Sequence, residues 1–406
     1  MEPKIKIAIV VSHPIQHFCP QYVSFAKLLF CEVKIFFGSA MGYKKYYDTS
    51  FGKEIAWDNL KLDQFNHFFL NDDQVLPADK NLDAPNLEKE LESYAPGIVI
   101  TYGYFQQLQQ RAQAWAKKNK IPLAFISDSE RKRKRPFLTE LIKKVYVRQQ
   151  FKNINYFLSV GDANEDYYKY YGVKDRQIIR NPFPIDVDLF EEIYAAKEEN
   201  SSRLRKEYNI KNDAIVISVV GKIESFKRQQ DIIAALKLMK PEEKSIVLMV
   251  IGTGANEIGL RELSKDIKNC KVVFTGFILP EKLALYYSAT DIYVHPSEKD
   301  AHSLSISEAV YMGCPVVISN NCGSYGANDD VQEGKNGFVY ETGNIKELSM
   351  ILDYLIRDNK ILDEFGSFSR IIGLHNQFVS HHKGVQSLVE RVQLSSYLDH
   401  EFKKII

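Results

Sequence analysis

Along the first 160 residues, short apolar runs alternate with segments of helical spacing. "KIAIVVS", "EVKIFFG", "GIVITYG", "PLAFIS" and "YFLSVG" have few polar breaks, whereas "QYVSFAKLLF", "QLQQRAQAWAKKN" and "FLTELIKKVYVRQQFKN" recur at three and four residues. A strand apolar at successive positions is buried on both faces, and helices between such strands supply the cover, so the pattern predicts a parallel sheet. Residues 39–90, rich in Tyr, Phe, Asn and Asp, read as long loops around one or two weak elements. The alternation restarts at "AIVISVVG" and continues through "QQDIIAALKLM", "SIVLMVIG", "LRELSKDI", "KVVFTG", "EKLALYYSA", "DIYVHPS", "GFVYE" and "IKELSMILDYLI". Between the two halves, residues 180–213 carry Pro182 and Pro184 and then become highly charged, which reads as a linker.

Two βα-rich halves in 406 residues suit two domains. The composition, 45% hydrophobic and 26% charged, is that of a soluble globular protein, and a net charge of +1 gives no global attraction to nucleic acid or membrane. Five cysteines without metal-ligand spacing suit a reducing compartment. The run "IAIVV" is too short for a signal-peptide core or a membrane span, so a cytoplasmic location is expected.

Open parallel sheets bind ligands beyond the carboxyl ends of their strands, so chemistry is sought in the loops there. In "VVGKIESFKRQQDII", Lys222 and Lys227 follow Gly221 across a strand-to-helix loop, and two cations suit a diphosphate as well as they suit a solvated surface. Gly252 and Gly254 imitate a dinucleotide fingerprint, but Glu257 takes the place of the third glycine, and they read as a tight turn. In "DAHSLSISEAVYMGCPVV", Asp300 precedes the start of a helix and Glu308 lies inside it, with Gly313 fitted to end it. The two acids could hold opposite ends of a nucleotide sugar, or "SISE" could be a capping box in which Glu308 binds only amides. Spacing alone leaves both open. His13 and His17 follow the first strand, either at a ligand edge or packed four apart on a helical turn. His381 and His382 read as solvated. Residues 131–152, "RKRKRPFLTELIKKVYVRQQFK", hold nine basic residues and one acid with an amphipathic pattern after Pro136. They suit either a solvated face or contact with anionic lipid headgroups. No nucleic-acid module is visible.

The string "HPSEKDAHSLSISEAVYMGCPVV" resembles the donor-binding signature of the family 4 retaining glycosyltransferases, which have the GT-B fold. "VIGTGANEIGLREL", "VVFTGFI" and "VQEGKNGFVYETGNIKEL" follow that family's order of elements, and the resemblance covers about residues 160–356. It implies an α/β protein of two Rossmann-like domains facing each other across a cleft. Residues 1–190 would bind the acceptor, 191–373 the nucleotide sugar, and 374–406 would cross back to the first domain. Glu308 would accept from the ribose hydroxyls, Asp300 would face the transferred sugar, and the amides of His302, Ser303 and Leu304 would touch sugar and phosphate. Lys222 and Lys227, beside Gly221, would meet the diphosphate, and backbone at Phe277 and Ile278 the base. The resemblance implies no cofactor and no metal.

Several positions depart from the family pattern. Asp300 stands where Glu is usual, and Lys222 where Arg is commoner, which removes bidentate geometry. "SHPIQHFCP" replaces a glycine-rich loop, and the family's pocket histidine has no match. Asp128 or Glu130 in "FISDSERKRKRP" would take its place, with His13 and His17 as further acceptor-side candidates. The function implied is transfer of a sugar from a nucleotide-sugar donor to a glycan or lipid-linked acceptor in cell-surface polysaccharide or glycolipid synthesis, at the inner face of the membrane. The alternatives are a sugar-nucleotide epimerase or hydrolase on the same fold, and a non-catalytic nucleotide-sugar-binding component of an assembly complex.

Overall fold

The computed structural model describes residues 4–48, 53–57, 59–132, 136–239 and 244–405. In chain order the first half forms β1 (Ile5–Val11), β2 (Cys31–Phe37), a ribbon of β3 (Tyr46–Asp48) and β4 (Lys53–Ile55), then β5 (His67–Phe69), β6 (Ile98–Tyr102), β7 (Leu123–Ser127), β8 (Tyr156–Ser159) and β9 (Ile178–Arg180). All but the ribbon join one parallel sheet in the order β5-β2-β1-β6-β7-β8-β9. The second half forms β10 (Ile215–Val220), β11 (Ile246–Ile251), β12 (Cys270–Gly276), β13 (Ile292–His295), β14 (Val316–Ser319) and β15 (Gly337–Tyr340). Its parallel sheet has the order β12-β11-β10-β13-β14-β15.

The apolar runs are explained by burial on both faces. In β1, Ile7, Ile9 and Val11 pack with Tyr22 and Phe25 on one side, while Ala8 and Val10 pack with Leu91 and Trp115 on the other. In β10, Ile217 and Val219 face Ile232 and Leu236, and Val216 and Val220 face Tyr287 and Val310.

Of the charged stretch 180–213, only residues 181–186 pass between the halves; the rest is not a linker. It contains the helices Val187–Ala195 and Lys197–Glu207, which seat Phe190 and Leu204 in the C-terminal core. Arg205 binds the Ala214 carbonyl at 2.8 Å and Asp291 at 2.8 Å, so the helix is tied to the strand it precedes. The irregular region 39–90 holds β3, β4, β5 and the start of helix Leu87–Tyr94.

After helix Asn359–Phe378 and a π-helical turn at Val379–Lys383, helix Gly384–Ile405 places Val385, Leu388, Val389 and Val392 in the N-terminal core. Gln377 accepts from Ile185 N–H at 2.9 Å and donates to Phe183 O at 3.0 Å, and Ser380 donates to Pro182 O at 2.8 Å. His381 is not a solvated residue: its ring nitrogens lie 2.8 Å from Ser24 Oγ and 3.1 Å from Ile185 O. His382 is likewise half-buried, stacked on Phe378.

Candidate active site

In each sheet the strand order reverses at one central strand, β1 or β10, and a crevice opens there at the carboxyl ends. The loops leaving those strands contain His13 and His17 in one half and Gly221, Lys222 and Lys227 in the other. A cavity of about 410 Å³ lies between the halves. His13, His17, Tyr46 and Trp57 line it from the N-terminal side, and Val220, Leu283, Leu304, Ser305 and Glu308 from the C-terminal side. Its mixture of aromatic walls and a few polar groups is what a nucleoside-sized ligand requires.

Glu308 sits on helix Leu304–Tyr311, whose N-cap is Ser303. No side chain caps this helix, so the capping-box reading of "SISE" is overturned. The Glu308 carboxylate instead accepts a hydrogen bond from the Tyr287 hydroxyl at 2.9 Å and faces the cavity. Burial pushes its pKa up to about 7, against the pull of Tyr287. A buried carboxylate with one donor can take more, as ribose hydroxyls would supply.

From Ser305 in the cavity wall a polar chain runs to the cationic loop. Tyr293 donates to Ser305 Oγ at 2.7 Å and lies 3.4 Å from His295 Nδ1. His295 Nε2 is 2.8 Å from Asp300 Oδ2, which also accepts from Lys227 Nζ at 2.7 Å. Burial opposes the charge of Asp300, but hydrogen bonds from His295 and Lys227 hold its pKa well below the usual carboxylate range. Burial lowers the His295 pKa more than Asp300 raises it, so a neutral ring donates its Nε2–H. Asp300 therefore orients Lys227, and Tyr293 and His295 orient Asp300.

The Gly252–Gly254 pair is a close approach of two loops rather than a tight turn alone. A Cβ on Gly252, at φ +136°, would stand 2.1 Å from the Gly221 carbonyl oxygen, and one on Gly254 would stand 2.4 Å from that of Ile223. The loop is pinned by Gly221 N–H to Ile251 O at 3.0 Å and Ile223 N–H to Thr253 O at 3.0 Å. Gly252→Ala should cost roughly 1–3 kcal/mol through strain and displacement of this loop. Urea unfolding should show the loss and calorimetry a weaker hold on nucleoside diphosphate; unchanged values in both would dismiss the close contact.

Other expected residues fall elsewhere. His302 does not line the cavity; it is buried at the seam between the halves, with Nε2 3.2 Å from Asp329 and 3.7 Å from Asp330. Burial opposes its charge, but the two acids raise its pKa. The ligand atoms of His302, Asp329 and Asp330 lie within 4.8 Å of one another, a spacing a metal could use. The carboxylate oxygens already accept from Asp162 N–H at 2.7 Å, Ser307 at 2.6 Å and Asn376 at 2.8 Å, so the two acids act as a clasp between halves, while the buried His302 Nδ1 has no partner. Ser303 N–H is engaged by Ser324 Oγ at 2.9 Å rather than presented to a ligand. Phe277 and Ile278 follow edge strand β12, outside the cavity wall, and Ile278 packs on the core.

His13 and His17 lie in the loop ahead of helix Cys19–Ala26, not on a helical turn. Burial lowers both to about 4, with His13 adding to the effect on His17, so both rings are neutral. His17 also lines a second cavity of about 340 Å³, with Phe18, Tyr102 and Phe183 as walls and exposed Asp128 at its edge. Glu130 lines neither cavity and accepts from Lys132 N–H. Of the basic segment, Arg133, Lys134 and Arg135 lie outside the described residues.

Comparison with known proteins shows what this arrangement is similar to. Residues 200–371 match the family model "Glycosyl transferases group 1". Over those residues the chain is similar to the group 1 glycosyltransferases. Similar relatives include alpha-monoglucosyldiacylglycerol synthase of Streptococcus pneumoniae, 27% identical over 44% of this chain and 40% of its own length. The capsular polysaccharide biosynthesis glycosyltransferase CapM of Staphylococcus aureus is 25% identical over 42% of this chain and 44% of its own. The chain spans about half the length of the curated relatives it matches. Among solved structures, a glycosyltransferase of Rickettsia africae superposes with TM-score 0.70 at 16% identity over 96% of this chain and 99% of its own. Anabaena Alr3699/HepE in complex with UDP gives 0.66 at 16% identity over 97% and 100%. The fold is therefore GT-B over the whole chain, including the N-terminal half that the family model does not reach.

Tyr287, Tyr293, His295 and Trp57 belong to the candidate site although the sequence did not single them out. A period-two signal existed for two of them, since Tyr293 and His295 share one face of β13. Trp57 comes from the irregular region, where no periodicity assigns a face.

Proposed function

We propose that this protein is a retaining, metal-independent glycosyltransferase that moves a sugar from a nucleotide-sugar donor to a glycan or lipid-linked acceptor. The observation that carries the reading is the polar chain Ser305–Tyr293–His295–Asp300–Lys227, which links the cavity beside Glu308 to the cationic loop. Glu308 takes the ribose. Asp300 meets the transferred sugar, and Lys222 and Lys227 compensate the diphosphate. Bond cleavage at the anomeric carbon sends the electron pair to the diphosphate oxygen, where these cations stabilise the developing charge. The acceptor oxygen forms the new bond on the face the diphosphate leaves. The acceptor occupies the aromatic cavity shared with His17, where Asp128 receives its hydroxyl proton.

The relatives named for glucosyldiacylglycerol and capsular polysaccharide support a role in cell-envelope glycolipid or polysaccharide synthesis. We place it at the cytoplasmic face of an anionic membrane, reached through residues 131–152. Among the described residues no helix is long and apolar enough to cross a membrane.

Product NMR should show the donor's anomeric configuration retained, at a rate unchanged by EDTA. Inversion, or loss of activity restored only by a divalent ion, would refute the proposal. Donor consumption that needs no acceptor would instead identify a hydrolase or epimerase.

A further inference from the structure

Helix Phe137–Phe151 is built the wrong way round for a helix of a globular surface. Only Val147 and Phe151, at its far end, are buried, with Phe151 packed on Phe125 and Phe157. Its first turns instead expose Phe137, Leu138, Leu141, Ile142, Val145 and Tyr146, each between 50% and 80% accessible. A surface helix ordinarily turns such a stripe inward. Over ten residues these side chains make an apolar ridge about 15 Å long, and contiguous exposed apolar surface of that kind marks a contact site.

The charges around the ridge say what it contacts. Arg131 lies over the Tyr170 ring at 3.2 Å, Lys144 over the same ring at 4.6 Å, and Lys132 over Tyr325 at 3.7 Å. Lys143 and Arg148 add two more cations on the helix itself, whereas Glu140 is drawn towards Arg131 at 3.7 Å. Cations held back against aromatic rings behind an apolar crest match anionic headgroups above an acyl layer. A protein partner needs no such collar of one sign.

We propose that the face from Phe137 to Tyr146 is a wedge that inserts into the interfacial layer of an anionic membrane, with the surrounding cations on the headgroups. This takes the membrane location above as its starting point and does not depend on the transferase reading. It differs from contact by charge alone, because the crest enters the acyl boundary.

Full-length protein is sedimented with phosphatidylcholine vesicles, with and without phosphatidylglycerol. Raising salt from about 0.1 to 1 M shortens the Debye length from about 10 to 3 Å. Binding to the anionic vesicles should fall as the headgroup attraction is screened, yet remain measurable at the high salt. The double variant Leu138→Asp, Ile142→Asp should weaken binding by at least about a hundredfold at every salt concentration, since each buried leucine or isoleucine contributes about tenfold or more. Arg131→Ala or Lys132→Ala should weaken it only about fivefold each, and only at low salt. Tryptophan placed by Phe137→Trp should be quenched by brominated lipid, a readout independent of the charge variants. Circular dichroism and nucleotide binding should be unchanged in every variant.

Equal binding by the Leu138, Ile142 double variant would overturn the wedge and leave charge alone. Absence of any vesicle binding would overturn the location as well. Self-association abolished by the same double variant, without vesicle binding, would assign the face to a second copy of this chain.

Discussion

Glu308→Gln should bind nucleotide sugar roughly ten- to a hundredfold more weakly than the native protein while being the more stable of the two at pH 8. The loss follows from removing a charged acceptor, whose hydrogen bonds contribute roughly 1.5–3 kcal/mol. The gain follows from linkage. The carboxyl titrates at about 7 in the fold against 4.5 as a free group, so between those values the folded state keeps a proton that the unfolded state has released. Stability therefore falls as pH rises through this window, by about 3 kcal/mol in all, and stays reduced above it. Gln carries no such cost and still accepts from Tyr287. Thermal melts should show the variant several degrees higher at pH 8, at roughly 2–4 °C per kcal/mol, and level with native near the bottom of the window. Glu308→Ala should lose donor affinity too, and it leaves the Tyr287 hydroxyl without its acceptor. Native-like donor binding by the Gln variant would remove the carboxylate from the ribose.

Asp300→Ala should lose roughly 3–5 kcal/mol of stability and at least about a hundredfold in donor turnover. The deletion strips Lys227 and the buried His295 of a shared acceptor, and breaking a buried ion pair by removing one partner costs about that much. Turnover suffers separately because Lys227 is no longer aimed. Because the Asp300 pKa is depressed, its contribution is present above the unfolded carboxyl value of about 3.8 and lost as acid protonates the folded group, so the two proteins should converge at low pH. Asp300→Glu keeps the charge and has the residue common in the family, so it should recover most of the stability. Urea titrations across pH and donor-consumption assays test both effects; an alanine variant of native stability would mean that Lys227 and His295 find other partners.

The legible parts of the sequence were those where one physical demand fixes the residues. β1 and β10 are nearly continuous apolar runs, broken only by Lys6 and Ser218, because helices cover both faces. Glu308 and Asp300 stood out as a pair only through the family resemblance, since their spacing around a helix start fits a capping box equally well. What the sequence could not show was partnership. "SISE" satisfies the capping rule in composition, yet the N-cap falls two residues earlier at Ser303, and Glu308 reaches Tyr287 on another helix. Gly252 and Gly254 were visible as glycines, but the backbone they admit, Gly221 to Ile223, lies about 30 residues away in sequence. The stretch 187–207 looked like a linker because it is so highly charged, and only tertiary contact reveals why Phe190, Leu204 and Arg205 are there.

The chain passes between its halves twice, at residues 181–186 and again at 377–384, and the two passages are bonded to each other through Gln377, Ser380 and His381. A body tethered at one point can swivel in any direction, whereas one fastened along a line can only swing about it. The paired passages thus form a spine, the line about which any opening of the halves would turn. Ile185 and Asp186 belong to that spine and also to the wall of the 410 Å³ cavity. Rotation about that line would change the gap least beside the spine and most at its outer edge, so the inner wall of the cavity would keep its shape while the mouth widened.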